Sequence, residues 1–323
     1  MPSLFDETAQ VAHQSERLCA HIGQVIQGKP EVIRNAVICL LAGGHLLLED
    51  VPGTGKTSLA RALAASLSVT WNRIQFTPDL LPSDVTGVSI FNQASATFEF
   101  RPGPIFANIV LGDEINRASP KTQSALLEVM EEGTLSNDAL VYRMPSPFMV
   151  IATQNPIDME GTYVLPEAQL DRFLMKLTVG YPSAQEEAMV LRTQKLGATV
   201  SQLTPVLTGD DVLAMMQGVL AVEVAPPIED YIVAIATATR AMTELRLGVS
   251  PRGSLALLRA ARACAAVTGR SFVTPEDVKA MAPVVLAHRL ILQPDAELQG
   301  RTGAELVNRA VQSVPVPRSF AHS

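Results

Sequence analysis

The hydrophobic pattern up to Tyr181 alternates between short apolar runs and stretches in which apolar residues recur at helical spacing. The short runs, rich in apolar and β-branched residues, predict strands at 45–49, 69–76, 108–111, 148–153 and 173–179. The helical spacing predicts helices at 7–26, 31–42, 57–67, 120–132 and 167–170. Strands that alternate with helices are typical of a parallel, doubly wound sheet, so we expect the α/β fold class.

Beyond Pro182 the pattern changes to helices alone, predicted at 183–196, 209–220, 228–245, 251–267 and 275–287. Capping sequences mark two helix starts, Thr208-x-x-Asp211 and Thr274-Pro275-Glu276-Asp277. A chain of 323 residues is long for one compact core. We therefore expect an α/β core at 1–182 and a smaller all-helical domain at 183–323, with Val314–Pro317 as a poorly ordered tail.

The charge and the cysteines exclude several classes of protein. A formal net charge of −7 gives no general attraction to nucleic acid, which binders obtain from clustered Lys and Arg. The widely spaced Cys19, Cys39 and Cys264 form no Cys-x-x-Cys pair and predict neither a disulfide framework nor a zinc site.

The most apolar stretch, 36–48, is too short to span a bilayer, and the N-terminus lacks a signal-peptide pattern. We expect a cytoplasmic protein.

A glycine-rich turn follows the first predicted strand of the sheet. In such a turn, backbone N–H groups and the start of the next helix face nucleotide phosphates. Lys56 would reach the β- and γ-phosphates, and the Thr57 hydroxyl would take one Mg²⁺ position. Asp50 stands where the usual pattern has its first glycine, and an ordinary glycine-rich turn is the alternative. The residues predicted to bind a nucleoside triphosphate are Pro52, Gly53, Thr54, Gly55, Lys56, Thr57 and Ser58.

Two carboxylates, Asp113 and Glu114, follow the apolar run 108–111 after one glycine. Asp113 can hold Mg²⁺ through water, and Glu114 can polarise the water that attacks the γ-phosphate. The alternative is that both acids only solvate the end of a strand. Together with the phosphate-binding turn, they predict a nucleotide hydrolase.

Three further polar residues are candidates for the same reaction. Asn155, after the run 148–153, could hold the attacking water, or it could belong to an ordinary Asn-Pro turn. Arg172 could stabilise the transition state at a neighbouring subunit, or it could form an intrachain ion pair with Asp171 or Glu167. Arg252 lies at the start of a predicted helix, where a cation is mildly unfavourable because it faces the positive end of the helix dipole. A bound triphosphate would compensate that charge, so Arg252 is a candidate nucleotide sensor; the alternative is a solvated arginine.

Two inserted segments, 85–101 and 135–144, are predicted to be β-hairpins. Between them they contain only Arg101 and Arg143 as cations, which fits contact with protein better than with DNA. His45 and His288 have no metal-ligand partner at a suitable spacing and are taken as ordinary fold residues.

Taken together, several of these motifs resemble the MoxR family of AAA+ ATPases. The resemblance implies that Lys56 and Thr57 form Walker A and that Asp113 and Glu114 form Walker B. It also implies sensor 1, arginine-finger and sensor 2 roles for Asn155, Arg172 and Arg252. The matching segments are 49–57, 113–118, 121–128, 152–156, 170–173, 250–252 and 274–278.

The resemblance also implies a biological role. Family members are ring-forming, hexameric, cytoplasmic motors that act as chaperones with proteins carrying a von Willebrand A domain. We therefore expect a Mg²⁺-dependent ATPase that uses ATP to remodel or activate a protein client. The alternatives are the ATPase subunit of a magnesium-chelatase-like complex and a nucleotide-gated binding module.

Overall fold

A computed structural model describes residues 4–51, 53–137, 140–155, 162–163, 165–188, 200 and 203–317. By the contacts between its residues, the chain divides into two compact units. One contains residues 17–173 and 177–213, and the other contains 1–16, 174–176 and 214–323. Within the described residues, no helix has both the length and the apolar character needed to cross a membrane.

The first part of the chain folds as an alternation of strands and helices. Its helices are α1 (Leu4–Gly23), α2 (Pro30–Leu41), α3 (Lys56–Ala65), α4 (Pro82–Thr86), α5 (Pro120–Glu132) and α6 (Glu167–Leu170). Its strands are β1 (Leu46–Glu49), β2 (Leu67–Ser68), β3 (Trp71–Gln75), β4 (Gly87–Asn92), β5 (Thr97–Pro102), β6 (Ile109–Asp113), β7 (Thr134–Asn137), β8 (Leu140–Arg143), β9 (Met149–Gln154) and β10 (Met175–Leu177).

Five of these strands form one sheet in the order β10-β1-β9-β6-β3. The pairs β1–β9, β6–β9 and β3–β6 are parallel, which confirms the predicted doubly wound α/β class. The predicted run 69–76 contains β3, which begins only at Trp71. The N–H and hydroxyl of the preceding residue, Thr70, both bond to the side chain of Asn108. Fully buried Leu47, Val110 and Val150 form a core with Leu126 and Leu127 of α5.

Both predicted inserts contain the expected hairpin strands. β4 pairs with β5, and β7 pairs with β8, each antiparallel. The second turn falls partly on residues 138–139, outside the described residues. The two hairpins touch: Asn137 donates to Ser89 Oγ at 2.8 Å, and the rings of Phe100 and Tyr142 lie 4.3 Å apart.

The chain after residue 203 contains more than the predicted helices. Its elements are β11 (Leu207–Thr208), α7 (Gly209–Leu220), α8 (Pro226–Arg240), β12 (Leu245–Leu247), α9 (Pro251–Val267), α10 (Pro275–Leu286), β13 (Ile291–Leu292), α11 (Pro294–Leu298) and α12 (Gly303–Ser313). The predicted helical character of this part of the chain is confirmed, with the addition of one short antiparallel pair, β12 with β13. These strands have only two or three residues, too few to show a period of two.

The predicted helix at 183–196 is helical at 184–188, and its remainder lies outside the described residues. The capping sequences are confirmed: Asp211 accepts the N–H of Thr208, and Asp277 accepts the N–H of Thr274. α12 was not predicted, although Thr302 caps it by accepting the N–H of Glu305. The proposed domain boundary at 182/183 stays a proposal, whereas the contacts divide this part of the chain at 213/214.

Candidate functional site

The glycine-rich turn joins β1 to α3 and requires two glycines. Gly53 and Gly55 have φ values of 85° and 91°, in the left-handed region that L side chains rarely adopt. Lys56 and Thr57 follow as the first residues of α3, so the backbone N–H groups at this helix start have no helical acceptor. Pro52 lies outside the described residues. The turn therefore has the form of an anion-binding helix start.

The Lys56 ammonium group lies over this turn. Its Nζ donates to the carbonyl oxygens of Asp50 and Val51, the latter at 2.8 Å. Burial lowers the pKa of Lys56, although the charges of Asp50, Glu114 and Asp113 act in the opposite direction. Phosphate oxygens would replace carbonyl oxygens with full negative charges, which favour the ammonium form.

The structure accounts for Asp50, the residue that departs from the usual pattern. Its side chain is buried, and its carboxylate accepts the N–H of Val51 at 2.7 Å and the N–H of Gly180. The carboxylate therefore fastens the start of the turn to the segment after β10. A glycine at this position could not make either bond.

Asp113, at the end of β6, is almost fully buried and bonded on both oxygens. Oδ1 accepts from Thr57 Oγ1 at 3.1 Å and from Thr153 Oγ1 at 3.3 Å. Oδ2 pairs with Arg73 Nε at 2.7 Å. Thr57 and Asp113, the two residues predicted to hold Mg²⁺, are therefore in contact with each other. Both offer oxygen atoms, the ligands that Mg²⁺ prefers.

Glu114, the next residue, has a backbone conformation that is rare for a residue other than glycine. Its φ is 57°, and its N–H donates to Thr153 Oγ1 at 3.0 Å. Its carboxylate Oε2 accepts from Arg117 Nη1 at 3.0 Å and from Gln75 Nε2 at 3.3 Å. Local strain of this kind persists where the surrounding bonds fix the residue, often at functional sites.

These groups line one cavity of about 360 Å³. The structure brings together the turn, both carboxylates and Asn155, whose main-chain oxygen accepts from Asn116 Nδ2 at 3.1 Å. Sequence reasoning missed four members of the site. The described lining residues are Gly53, Thr54, Gly55, Lys56, Thr57, Ser58, Arg73, Gln75, Asp113, Glu114, Thr153, Gln154 and Asn155. The signal for Arg73 and Gln75 was their spacing of two in a strand, which puts both side chains on one face.

The two arginines that were predicted to take part in the reaction belong to different compact units of the chain. Arg172 Nε pairs with Glu131 Oε2 at 3.0 Å, so an intrachain ion pair does exist, with a partner that was not predicted. Arg252 is the second residue of α9 in the other compact unit, after Ser250, which accepts the N–H of Gly253. Neither arginine is among the described residues of the cavity. Their roles stay predictions.

The two histidines taken as fold residues are buried. His45 bonds through Nε2 to the carbonyl of Met130 at 2.9 Å, and its Nδ1 accepts the N–H of Val150 at 3.0 Å. His288 Nε2 lies 3.0 Å from Arg289 Nη1.

The donor set fits Mg²⁺ and a triphosphate. Within the described residues no group of three or more His, Cys, Asp or Glu side chains could hold a metal. The site instead offers one hydroxyl and one carboxylate, so phosphate and water oxygens would supply the other ligands, as Mg²⁺ commonly requires. Lys56 and the helix start supply the positive charge for the phosphates.

Comparison with known protein families agrees with this geometry. Residues 45–175 match the ATPase family associated with various cellular activities (AAA), and residues 237–310 match the AAA lid domain. The fold and the cavity therefore define an AAA+ ATPase.

Individual relatives indicate which family of AAA+ ATPases the chain belongs to. The chain is 42% identical over 326 residues to Chaperone MoxR1 of Mycobacterium tuberculosis, covering 98% of this chain and 86% of the relative. It is 51% identical over 297 residues to an uncharacterized Bacillus subtilis protein, YeaC, covering 92% of this chain and 93% of YeaC. The crystal structure of a proposed ATPase from Cytophaga hutchinsonii aligns with a TM-score of 0.89 at 36% identity, covering 97% of this chain and 98% of that one. The chain belongs to the MoxR family of AAA+ ATPases.

Proposed function

We propose that the chain hydrolyses ATP with Mg²⁺ and uses the energy to remodel or activate a protein client. One observation carries the hydrolysis: the cavity that contains Lys56 also contains the Thr57–Asp113 contact and, one residue further, Glu114. Phosphate-binding, metal-binding and water-activating groups thus share one small space.

Each side chain has a role in the proposed reaction. Lys56 exchanges its two carbonyl acceptors for β- and γ-phosphate oxygens. Thr57 and Asp113 hold Mg²⁺, which when bound neutralises charge that develops on the phosphates. Glu114 accepts a proton from the attacking water, and Asn155 orients that water with its amide.

The proposed biological role is a chaperone-like motor. It rests on the family resemblance and on the name of the Mycobacterium tuberculosis relative, Chaperone MoxR1. We propose a homo-oligomeric ring, hexameric and cytoplasmic, that works with a von Willebrand A domain protein. In such a ring Arg172 would act on a neighbour's γ-phosphate and Arg252 would sense the nucleotide from the lid. Hydrolysis would then change the angle between the two domains and so move the two hairpins.

Hydrolysis is tested with Glu114→Gln, which removes the proposed base and keeps the size of the side chain. We expect Mg-ATP to stay bound while turnover falls by about 10²–10⁴-fold, the range of general-base effects. Glu132→Gln is the matched control, since Glu132 is an exposed carboxylate at the end of α5. Turnover within about tenfold of the unsubstituted protein would reject Glu114 as the base.

The client role is tested with the same Glu114→Gln protein. Proteins that co-purify with it in Mg-ATP, and not with Lys56→Ala, are candidate clients. Full client activation by Glu114→Gln would favour a nucleotide-gated binding module. A chelatase subunit among the retained proteins would favour the magnesium-chelatase-like alternative.

A further inference from the structure

Arg73 connects the two acidic residues of the site. It lies on β3, the edge strand of the sheet, where Gln75 is in register with Asp113 of β6. Arg73 Nε donates to Asp113 Oδ2 at 2.7 Å, and its Nη2 donates to Gln75 Oε1 at 3.0 Å. Gln75 Nε2 in turn donates to Glu114 Oε2 at 3.3 Å. A chain of hydrogen bonds therefore runs from the proposed metal ligand to the proposed base.

The charge and exposure of Arg73 suit a group that changes partner. Among the described residues of the cavity, Lys56 and Arg73 carry the positive charge. The side chain of Arg73 is 50% exposed, whereas that of Asp113 is only 4% exposed. The half-exposed guanidinium group can reach a ligand in the cavity, and a bound Mg²⁺ would compensate the buried Asp113 carboxylate that it leaves. A guanidinium group also binds phosphate with two parallel hydrogen bonds, which a lysine cannot do.

We propose that Arg73 reads the γ-phosphate of ATP in its own subunit, an inference that rests on the proposed function. The γ-phosphate draws the guanidinium group away from Asp113 and Gln75. Asp113 then has Oδ2 available for the metal shell. Gln75 loses the bond that orients its amide oxygen, and its hold on Glu114 loosens. ADP, which lacks the γ-phosphate, leaves the chain of bonds in place.

Binding measurements separate this role from a purely structural one. The Kd values of the non-hydrolysable β,γ-imido analogue of ATP and of ADP are measured by calorimetry, with Mg²⁺ and with EDTA. The variants are Arg73→Gln and Arg73→Lys, and folding of each is checked by thermal unfolding. Arg61→Gln is the matched control: Arg61 is an exposed arginine of α3 outside the described lining of this cavity.

We expect Arg73→Gln to weaken binding of the ATP analogue by about 10- to 100-fold, the size of one charge-assisted hydrogen bond. ADP affinity should change less than about threefold, and Arg73→Lys should recover part of the loss. The effect should persist in EDTA, because Arg73 contacts the phosphate itself. Arg61→Gln should change neither Kd appreciably.

Three results would overturn the proposal. Equal weakening of both nucleotides would mean that Arg73 only supports the cavity. Loss of the effect in EDTA would mean that it acts through the metal ligand Asp113. Unchanged affinities would mean that the ion pair is structural. Failure of the unsubstituted protein to bind either nucleotide would reject the proposed function as well, which separates the two failures.

Discussion

The ion pair between Arg172 and Glu131 allows a direct test of the arginine-finger hypothesis. A finger in a neighbouring site has to leave its intrachain partner, whereas a structural arginine has to keep it. We consider Glu131→Gln, Arg172→Ala and the double variant. The first releases the guanidinium group, and the second removes it.

The structure sets the size of the two effects. The Arg172 and Glu131 side chains are 27% and 36% exposed, so their pair is worth about 0.2–1 kcal/mol. Glu131→Gln should therefore change turnover by no more than about fivefold, and upward, because release of the arginine becomes easier. Loss of a finger lowers turnover on the order of 10³-fold or more, or about 4 kcal/mol of transition-state stabilisation. The broken pair cannot account for a loss of that size.

The assay is steady-state ATP hydrolysis by each variant, with Glu132→Gln as the neighbouring-carboxylate control. If the arginine acts only through its intrachain pair, the three variants should lose similar activity, because each breaks the same interaction. Equal losses would refute the finger. A large loss in Arg172→Ala beside a normal or raised rate in Glu131→Gln would support it.

Subunit mixing then tests whether Arg172 acts across an interface. Arg172→Ala and Glu114→Gln proteins, each expected to be inactive alone, are allowed to exchange subunits. An Arg172→Ala subunit keeps its own Lys56 and Glu114 and can sit beside a subunit that still offers Arg172. Activity should reappear and peak at an intermediate ratio. A mixture that stays inactive after confirmed exchange would place Arg172 within its own chain.

Three other predictions concern the rest of the molecule. Lys56→Ala should abolish ATP binding in calorimetry with the fold retained, and near-normal affinity would contradict its proposed role. Burial acts to raise the pKa of Asp277, but the bonds from Arg270 and Thr274 leave that pKa below its usual value. The stability that Asp277 contributes is therefore present above the pKa of an unfolded aspartate, near 3.9, and is lost as pH falls through the lower folded value. Asp277→Asn should cost about 2–4 kcal/mol in urea unfolding at pH 7, with exposed Asp230→Asn as control, and a loss unchanged at acid pH would contradict this. Filter binding at low salt should show no nucleic-acid affinity above a neutral control, and a steep salt slope would overturn that expectation.

Local signals made some boundaries predictable. α5 spans Pro120–Glu132 as expected, because Ser119 caps it, Pro120 suits the first turn and Gly133 ends it in a left-handed conformation. α9 likewise begins where Ser250 and Pro251 indicate. Such signals lie within a few residues of the boundary that they determine.

The partners of the site residues could not be predicted in this way. The contact of Gln75 with Glu114 depends on the parallel register of β3 and β6, which joins residues far apart in the chain. The pairing of Arg172 with Glu131 depends on how α5 lies relative to the segment before β10. These contacts depend on tertiary packing, and hydrophobic periodicity describes only which face of each element is buried.

Three carboxylates surround a turn that we propose binds a polyanion, and the way each is compensated differs. The Asp50 carboxylate accepts hydrogen bonds from two backbone N–H groups, whose positions are fixed by the fold. Asp50 therefore keeps these bonds, which hold the turn. Asp113 and Glu114 are paired instead with half-exposed arginines, Arg73 and Arg117. Side-chain cations can exchange one anion for another by a change of rotamer, whereas backbone donors are fixed by the fold. The two acids assigned to metal and water can therefore change their charge environment when phosphate arrives, whereas the hydrogen bonds of Asp50 are fixed by the fold.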